Sequence, residues 1–513
     1  MRSPTRPIAS KLFLLRVGPP TGVKHLVTMT VSADVVVVGG GSSGAVVAAR
    51  LAAQGVSVML IEAGPDYGAH RDGRWPTELL DARMLATSHD WGYASGPVPG
   101  RQPWTFERAR VIGGCSSHNG AIAAVGHHTD YDAWGFDGWR TDELRSTFAL
   151  VLDTMRVRTY SAEEAGPFHE RCLKAAAGLG WRMAEDLCDL DANDSFGLES
   201  VNVVDGVRWN TALAYLDPVR HLPNFTVLDR ALVDRVEDHA HGATVHMIRD
   251  GRMVEVQAAT VVLSAGVYGT PAILQRSGFG DRLLLDKLGI EVATHLPEVG
   301  GNLHDHPMVH ADREVGPELK GWIDEAAALG FVPEEQTLGK ALSSEATGGI
   351  FDLHLFPVCA STQTVLTDGR AMVEVACVTP RSRGRVDIIS RDPEVAPHID
   401  HAYLTDADDH DITVLRDGLV MAQDMLNHPA LAPLLGDQVT NVSTDAAIRR
   451  EVMHYYHPVG TCAMGTVCDN RGRLYGASNV VVADASLMPQ IPRANTNIPA
   501  IVIGERIARW LLG

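Results

Sequence analysis

The chain has 513 residues, 45% hydrophobic and 21% charged, with 49 glycines and a formal charge of −19. This is the composition of a globular enzyme with no fibrous or disordered bias, and its length corresponds to about three or four ordinary domains, a number that large α/β enzymes reduce by merging units around one cofactor. The acidic balance, with no cluster of Lys and Arg, excludes nucleic acid and disfavours anionic membranes as partners.

Seven cysteines, Cys115, Cys172, Cys188, Cys359, Cys377, Cys462 and Cys468, are scattered and odd in number, with no CxxC pair. They read as reduced thiols of a cytoplasmic protein, and Cys462 with Cys468 lacks the further ligands a zinc site needs, so no metal is expected. No apolar run is long enough to span a bilayer.

Residues 1–30 read as a disordered extension or an over-called start. The apolar piece Leu12–Leu15 is short, Pro19 and Pro20 follow it, and Met29 stands just before the first strand. Asp34–Val38 is an apolar, β-branched run of the kind buried on both faces of a parallel sheet. It leads into Gly39-Gly40-Gly41-Ser42-Ser43-Gly44, an Ala-rich helical stretch to Gln54, and a second strand Val56–Ile61 ending at Glu62.

Gly39, Gly41 and Gly44 have GxGxxG spacing. The first permits a tight turn, the second lets backbone approach a pyrophosphate, and the third lets helix and strand pack closely. The pyrophosphate would sit on the N–H groups of the following helix, and Glu62, 23 positions after Gly39, would accept hydrogen bonds from a ribose. Both FAD and NAD fit this fingerprint.

Ala109 to Gly120 (ARVIGGCSSHNG) pairs glycines with small polar residues, a loop that lets backbone approach a flat ring. Thr260–Leu263, running into Ser264-Ala265-Gly266, and Val480–Ala483, running into Asp484, read as further strands of the same sheet. Val151–Asn224 and Leu303–Met453 differ in character and form a second, substrate-facing region. Within it, Gly316–Gly349, rich in Glu, Ala and Gly, reads as an irregular, solvated insert.

In Tyr456-His457-Pro458 the proline holds the histidine in extended backbone. Asn495-Thr496-Asn497-Ile498-Pro499 precedes an apolar helix through Leu512, where Asn suits an N-cap and Pro the first turn.

The Ala109–Gly120 segment, the stretch Ser264–Pro271 with Ser277–Gly280, the segment Val299–Pro307 and the region from Tyr456 onward resemble the glucose-methanol-choline (GMC) oxidoreductases. The resemblance covers Ser32 to the end and is weakest between Glu314 and Leu353. Val267 and Phe279 are mild departures from the second of these patterns. The resemblance implies an α/β GMC fold: a discontinuous Rossmann-like FAD-binding domain (31–150, 225–302 and 454–513) with a second α+β substrate-binding domain (151–224 and 303–453).

The same resemblance implies FAD as cofactor and oxidation of an alcohol's CH–OH group, with hydride passing to flavin N5. His457 would be the base, and Asn495 its partner on the substrate hydroxyl. Cofactor contacts are expected from Gly39, Gly41, Ser42, Ser43, Gly44, Glu62 and Ala63. Arg110, Gly113, Gly114, Ser117, His118 and Asn119 would supply a second set, and Val233, Ala265, Gly266, Asp484, Ala485 and Asn497 a third. Asp484 is expected on the ribityl hydroxyls, and the N-terminus of the last helix near flavin N1.

His118 stands where choline-oxidase-like members attach the flavin covalently through its 8α carbon, so a covalent link is expected. Gly120 stands where those enzymes carry a serine. Phe356 replaces a substrate-side histidine, for which His354 is the substitute on the same strand face. The electron acceptor is left between oxygen and another carrier, such as a quinone or a mycofactocin-linked partner, and a non-redox FAD-containing lyase is the remaining alternative. A homodimer is compatible with all of these readings.

Overall fold

The computed structural model describes residues 27–83, 85–96, 103–329, 333–359 and 370–513. Two seven-stranded sheets organise the chain. The first is built from β1 (Val27–Val38), β2 (Val58–Ile61), β4 (Phe225–Leu228), β5 (Ala231–His239), β6 (Gly242–Arg249), β7 (Arg252–Leu263) and β14 (Val480–Val482). The second takes β3 (Ser195–Leu198), β8 (Pro307–Val315), β9 (Thr337–Ala341), β10 (Leu353–Cys359), β11 (Arg370–Cys377), β12 (Leu435–Gln438) and β13 (Met453–His454).

In the first sheet the order is β4-β2-β1-β7-β6-β5, with β14 also beside β7. The long strand β7 makes this arrangement work: along one edge it pairs with β1 in parallel, and along the other it pairs first with β6, antiparallel, and then with β14, parallel. Strands β4, β2, β1, β7 and β14 therefore end together, at residues 228, 61, 38, 263 and 482. Loops leaving the carboxyl ends of parallel strands form the binding crevice of an open α/β sheet. Val36, Val37, Leu60, Val261, Val262 and Val482 have no solvent exposure, and each buried aliphatic side chain of this kind contributes about 1.5–3 kcal/mol.

The second sheet is wholly antiparallel in the order β12-β8-β11-β10-β9-β3, with β13 beside β8. One face packs on the helix His410–Asn427, which buries Ile412, Val414, Leu415, Leu419, Ala422 and Met425. The opposite side, carrying Phe356, Val358 and Met308, faces Tyr455.

Two sequence expectations change. Strand β1 begins at Val27, seven residues before Asp34, because Val27 and Thr28 pair with Val254 and Glu255 of β7. Met29 thus lies inside a strand, and the reading of residues 1–26 as an extension lies outside the described residues. The stretch 316–349, expected to be irregular, contains the helix Pro317–Leu329 and strand β9. Its Ala-rich composition suits that helix, and Leu319 and Ile323 pack it into the second core. All seven cysteines are free thiols. Among the described residues, no helix is long and apolar enough to cross a membrane.

The first helix, α1 (Gly44–Ala53), lies against the last, α2 (Asn497–Leu512), and Gly504 faces α1. A Cβ there would fall 2.7 Å from the Ser43 carbonyl oxygen and 2.9 Å from Val46 Cβ. At an open helical site Gly→Ala stabilises by about 1 kcal/mol. Overpacking costs about 1–3 kcal/mol, so Gly504→Ala is expected to lower the thermal unfolding midpoint of the holoprotein. A raised midpoint would contradict this helix contact.

Candidate active site

The turn after β1 is shaped by contacts that exclude side chains. Gly39 has φ +95°, and a Cβ on it would stand 2.3 Å from the Ser264 carbonyl oxygen; one on Gly44 would stand 1.9 Å from that of Gly39. Glu62 braces the turn: one carboxylate oxygen accepts the Gly40 N–H and the other the Gly64 N–H, both at 2.8 Å. Burial pushes its carboxyl up, against these hydrogen bonds and the attraction of Arg110. Ser42 Oγ donates to Asn497 Oδ1 and Ser43 Oγ to the Ala500 carbonyl, each at 2.6 Å, tying the turn to the start of α2.

The Ala109–Gly120 loop meets this turn backbone to backbone. Gly113 N–H donates to the Gly40 carbonyl at 2.7 Å, and a Cβ on Gly114 would lie 2.6 Å from Gly41 Cα. Gly113 and Gly114 both have positive φ, +86° and +54°, which glycine adopts without steric cost. Ser117 Oγ donates to the Ile112 carbonyl and holds the loop's single helical turn.

These elements enclose a cavity of about 760 Å³. Of the expected cofactor residues, Gly39, Gly41, Ser42, Ser43, Glu62, Ala63, Arg110, Gly114, His118 and Asn119 line it, as do Val233, Ala265, Gly266, Asp484, Ala485 and Asn497 on the other walls. Gly44, Gly113 and Ser117 do not reach it and act through the packing just described. Asp484 is partly committed: its carboxylate accepts from Gly266 N–H (2.9 Å), Thr270 Oγ (2.6 Å) and Ser486 N–H (2.8 Å). Arg110 lies over Trp91, 4.6 Å from the ring centre. His118 donates from Nε2 to the Ser88 carbonyl at 2.8 Å, and burial pulls its pKa down. With Nε2 carrying the proton, Nδ1 keeps its lone pair.

The residues suit a flavin dinucleotide. The Gly41 and Gly114 backbones meet in a cleft that a Cβ on Gly114 would fill, a helix begins beside it, and Asn497 Nδ2 is buried without a hydrogen-bond partner.

At the far end His457 and Asn495 line the same cavity, and Asn495 Oδ1 is buried without a partner. Asp305 organises the turn: one of its oxygens accepts both the His306 N–H (2.8 Å) and the His457 N–H (2.9 Å), and the other accepts Tyr403 O–H (3.0 Å). Arg108 donates to the carbonyl of Tyr456, whose φ is +65°, so the strained residue before His457 is held from the opposite side. Burial raises the Asp305 carboxyl to about 6, against Arg108 and these hydrogen bonds.

His457 Nδ1 lies 3.1 Å from His306 Nδ1. Burial, and then His306, His354 and Arg108, hold the His457 pKa well below the ordinary imidazole value, so the ring is neutral at neutral pH.

Phe356 lines the cavity. His354 is fully buried behind it, stacked on Phe351 with both ring nitrogens unpartnered.

Sequence reasoning assigned no role to Asp305, His306, Tyr455, Glu335 or Glu374, and all five bear on this end of the cavity. The signal for Glu374 was present: it is a single acid in RAMVEVAC, a strand otherwise fit for burial on both faces. Away from the cavity, Cys377, His410 and Asp411 cluster within 4.8 Å. Asp411 there accepts the Arg381 and Ser382 N–H groups and clamps a loop.

Family models for GMC oxidoreductases match residues 33–308 (N-terminal) and 380–504 (C-terminal). The oxygen-dependent choline dehydrogenase of Pseudomonas syringae pv. tomato is 30% identical over 94% of this chain and 93% of its own. The choline oxidase of Arthrobacter globiformis is 32% identical over 93% of each. Among solved structures, pyridoxine 4-oxidase from Mesorbium loti superposes with a TM-score of 0.81 at 26% identity, covering 93% of this chain and 99% of that one. A formate oxidase shares the fold, with a TM-score of 0.80 at 22% identity, covering 94% of this chain and 98% of that one. The chain belongs to the GMC oxidoreductase family and is an FAD-dependent oxidoreductase.

Asp305 touches His457 only through its backbone, so it is a positioning residue. Asp305→Ala is expected to retain FAD while slowing anaerobic flavin reduction by about 10- to 100-fold, the range expected when a side chain on the cavity wall loses its alignment. Asp305→Asn, which keeps an oxygen acceptor, should recover most of that rate. Equal rates in all three proteins would remove the clamp from the account.

Proposed function

We propose that the protein oxidises the CH–OH group of a small alcohol to the carbonyl, with His457 as base and Asn495 as its partner on the substrate oxygen. The observation that carries this reading is the placement of His457: a neutral imidazole lining the cavity, with its ring fixed through Nδ1 by His306. When His457 Nδ1–H donates to His306, Nε2 is left with its lone pair to take the hydroxyl proton. Asn495 orients the hydroxyl and stabilises the developing alkoxide. Bound FAD supplies, at N5, the acceptor for the hydride leaving the same carbon.

The glycine turns, Glu62, Asp484 and the loop around His118 are the groups proposed to hold FAD. The α2 N-terminus beside Asn497 is suitably signed for negative charge near N1. The division into an FAD-binding domain (31–150, 225–302, 454–513) and a substrate-binding domain (151–224, 303–453) is supported by the two separate sheets. Oxygen as acceptor is supported by the names of the choline oxidase and oxygen-dependent dehydrogenase relatives.

An alcohol substrate should bleach the flavin under anaerobic conditions, and His457→Ala should retain FAD but slow bleaching by about 10²- to 10⁴-fold, the contribution of a positioned base. A yellow protein that no alcohol bleaches would overturn the reading in favour of non-redox use of FAD.

We further propose that FAD is attached through His118, a reading supported by its place on the cavity wall and by its free Nδ1. Intact mass spectrometry of the denatured protein should then find an added FAD mass, absent in His118→Ala. An unmodified chain from active enzyme would refute the link and leave the oxidation reading standing.

A further inference from the structure

Beyond His457 the cavity is walled by carboxylates that the proposed reaction does not use. Glu374 projects from β11, is 5% exposed and lines the cavity, and no described residue hydrogen-bonds its carboxylate. Glu335, in the segment before β9, reaches the same space. A Cβ on Gly120 would lie 2.7 Å from its Oε2 and 3.7 Å from its Oε1, so its carboxylate rests directly on the glycine. Glu199 stands behind them, 1% exposed, with both oxygens unpartnered, and the Tyr455 hydroxyl beside them is likewise unpartnered.

The nearby cations are engaged elsewhere. Arg208 donates to the Leu79 carbonyl at 2.9 Å, and Arg108 to the Tyr456 carbonyl at 2.9 Å. Buried acids without donors are costly to ionise. Consistent with that, burial pushes Glu374 and Glu199 up to about 8, and Glu335 is raised by burial and then by Glu199, Glu334 and Glu374. A ligand that brings its own positive charge and its own N–H donors would satisfy both carboxylates.

We propose that Glu335 and Glu374 bind a protonated amine carrying N–H donors, so that the substrate is an amino alcohol whose ammonium sits at this acidic end while its hydroxyl faces His457. The inference rests on the alcohol-oxidation reading above. A quaternary ammonium offers charge but no donor, and a polyol offers donors but no charge, so the arrangement ranks both below a primary amine. Gly120 belongs to the recognition site because any side chain there would displace the Glu335 carboxylate.

The test compares anaerobic flavin reduction of the holoenzyme at pH 8 by 3-aminopropan-1-ol, 1-butanol, choline and glycerol. Each charge-assisted hydrogen bond is worth about 10- to 100-fold in affinity. The amino alcohol is therefore expected to have the lowest apparent Kd by at least that factor, and Glu335→Gln and Glu374→Gln should each narrow its advantage over 1-butanol by about tenfold or more. Choline or glycerol outranking the amino alcohol, or 1-butanol equalling it, would overturn the proposal and leave alcohol oxidation intact.

A second measurement separates the two readings. Propylamine, which has no hydroxyl to oxidise, is titrated calorimetrically into the wild-type holoenzyme and both variants. Binding that weakens about tenfold or more in each variant supports the amine site even where no alcohol bleaches the flavin, and absence of wild-type binding overturns it.

Discussion

Much of this molecule depends on the contact between two glycine backbones, Gly41 and Gly114, which are distant in sequence and too close to admit a Cβ on Gly114. The hydrogen bond from Gly113 N–H to the Gly40 carbonyl locks the two loops together. From that junction Ser42 and Ser43 reach Asn497 and Ala500 at the start of the last helix, so the first βα turn, the 109–120 loop and the C-terminal helix form one unit. Of these parts only the first βα turn springs directly from one of the five parallel strands, β1. A side chain at this junction would separate the cofactor wall from the loop that carries His118.

The cavity is electrically divided. At one end stand the glycine turns, a helix N-terminus and Arg110, with the Glu62 and Asp484 carboxylates engaged by backbone N–H groups. At the other end are carboxylates that burial keeps hard to ionise, and between the two lies a cluster of histidines that burial keeps neutral. His457 is fixed twice over: Asp305 holds its backbone N–H and Arg108 the preceding carbonyl, while His306 holds its ring through Nδ1. This leaves the imidazole with a single partner, His306, and one nitrogen for substrate.

What the sequence made legible follows from how locally each feature is determined. Gly39, Gly41, Gly44 and Glu62 form a short-range pattern, and Gly39 and Gly44 stand in backbone surroundings too tight for a Cβ, whereas a Cβ on Gly41 would meet only Gly114 Cα at 3.7 Å. The proline after His457 marked only its extended backbone, and its role came from the resemblance of the segment from Tyr456 onward to the GMC oxidoreductases. Glu335 and Glu374 were not, since their meeting depends on the pairing of β9, β10 and β11 across more than thirty residues. The stretch 316–349 was misread because its Glu, Ala and Gly content suits both a solvated loop and a helix, and only Leu319 and Ile323 mark the buried face. The early start of β1 was hidden because Val27 and Thr28 are recruited by β7, a strand more than two hundred residues away.

The central claim is that the group facing His457 is an alcohol whose carbon–hydrogen bond breaks as the flavin is reduced. The most direct measurement is the rate of anaerobic flavin bleaching at saturating substrate, comparing an accepted alcohol with its counterpart deuterated at the carbinol carbon. The account predicts that bleaching slows several-fold on deuteration. Bleaching at the same rate with both alcohols would contradict it.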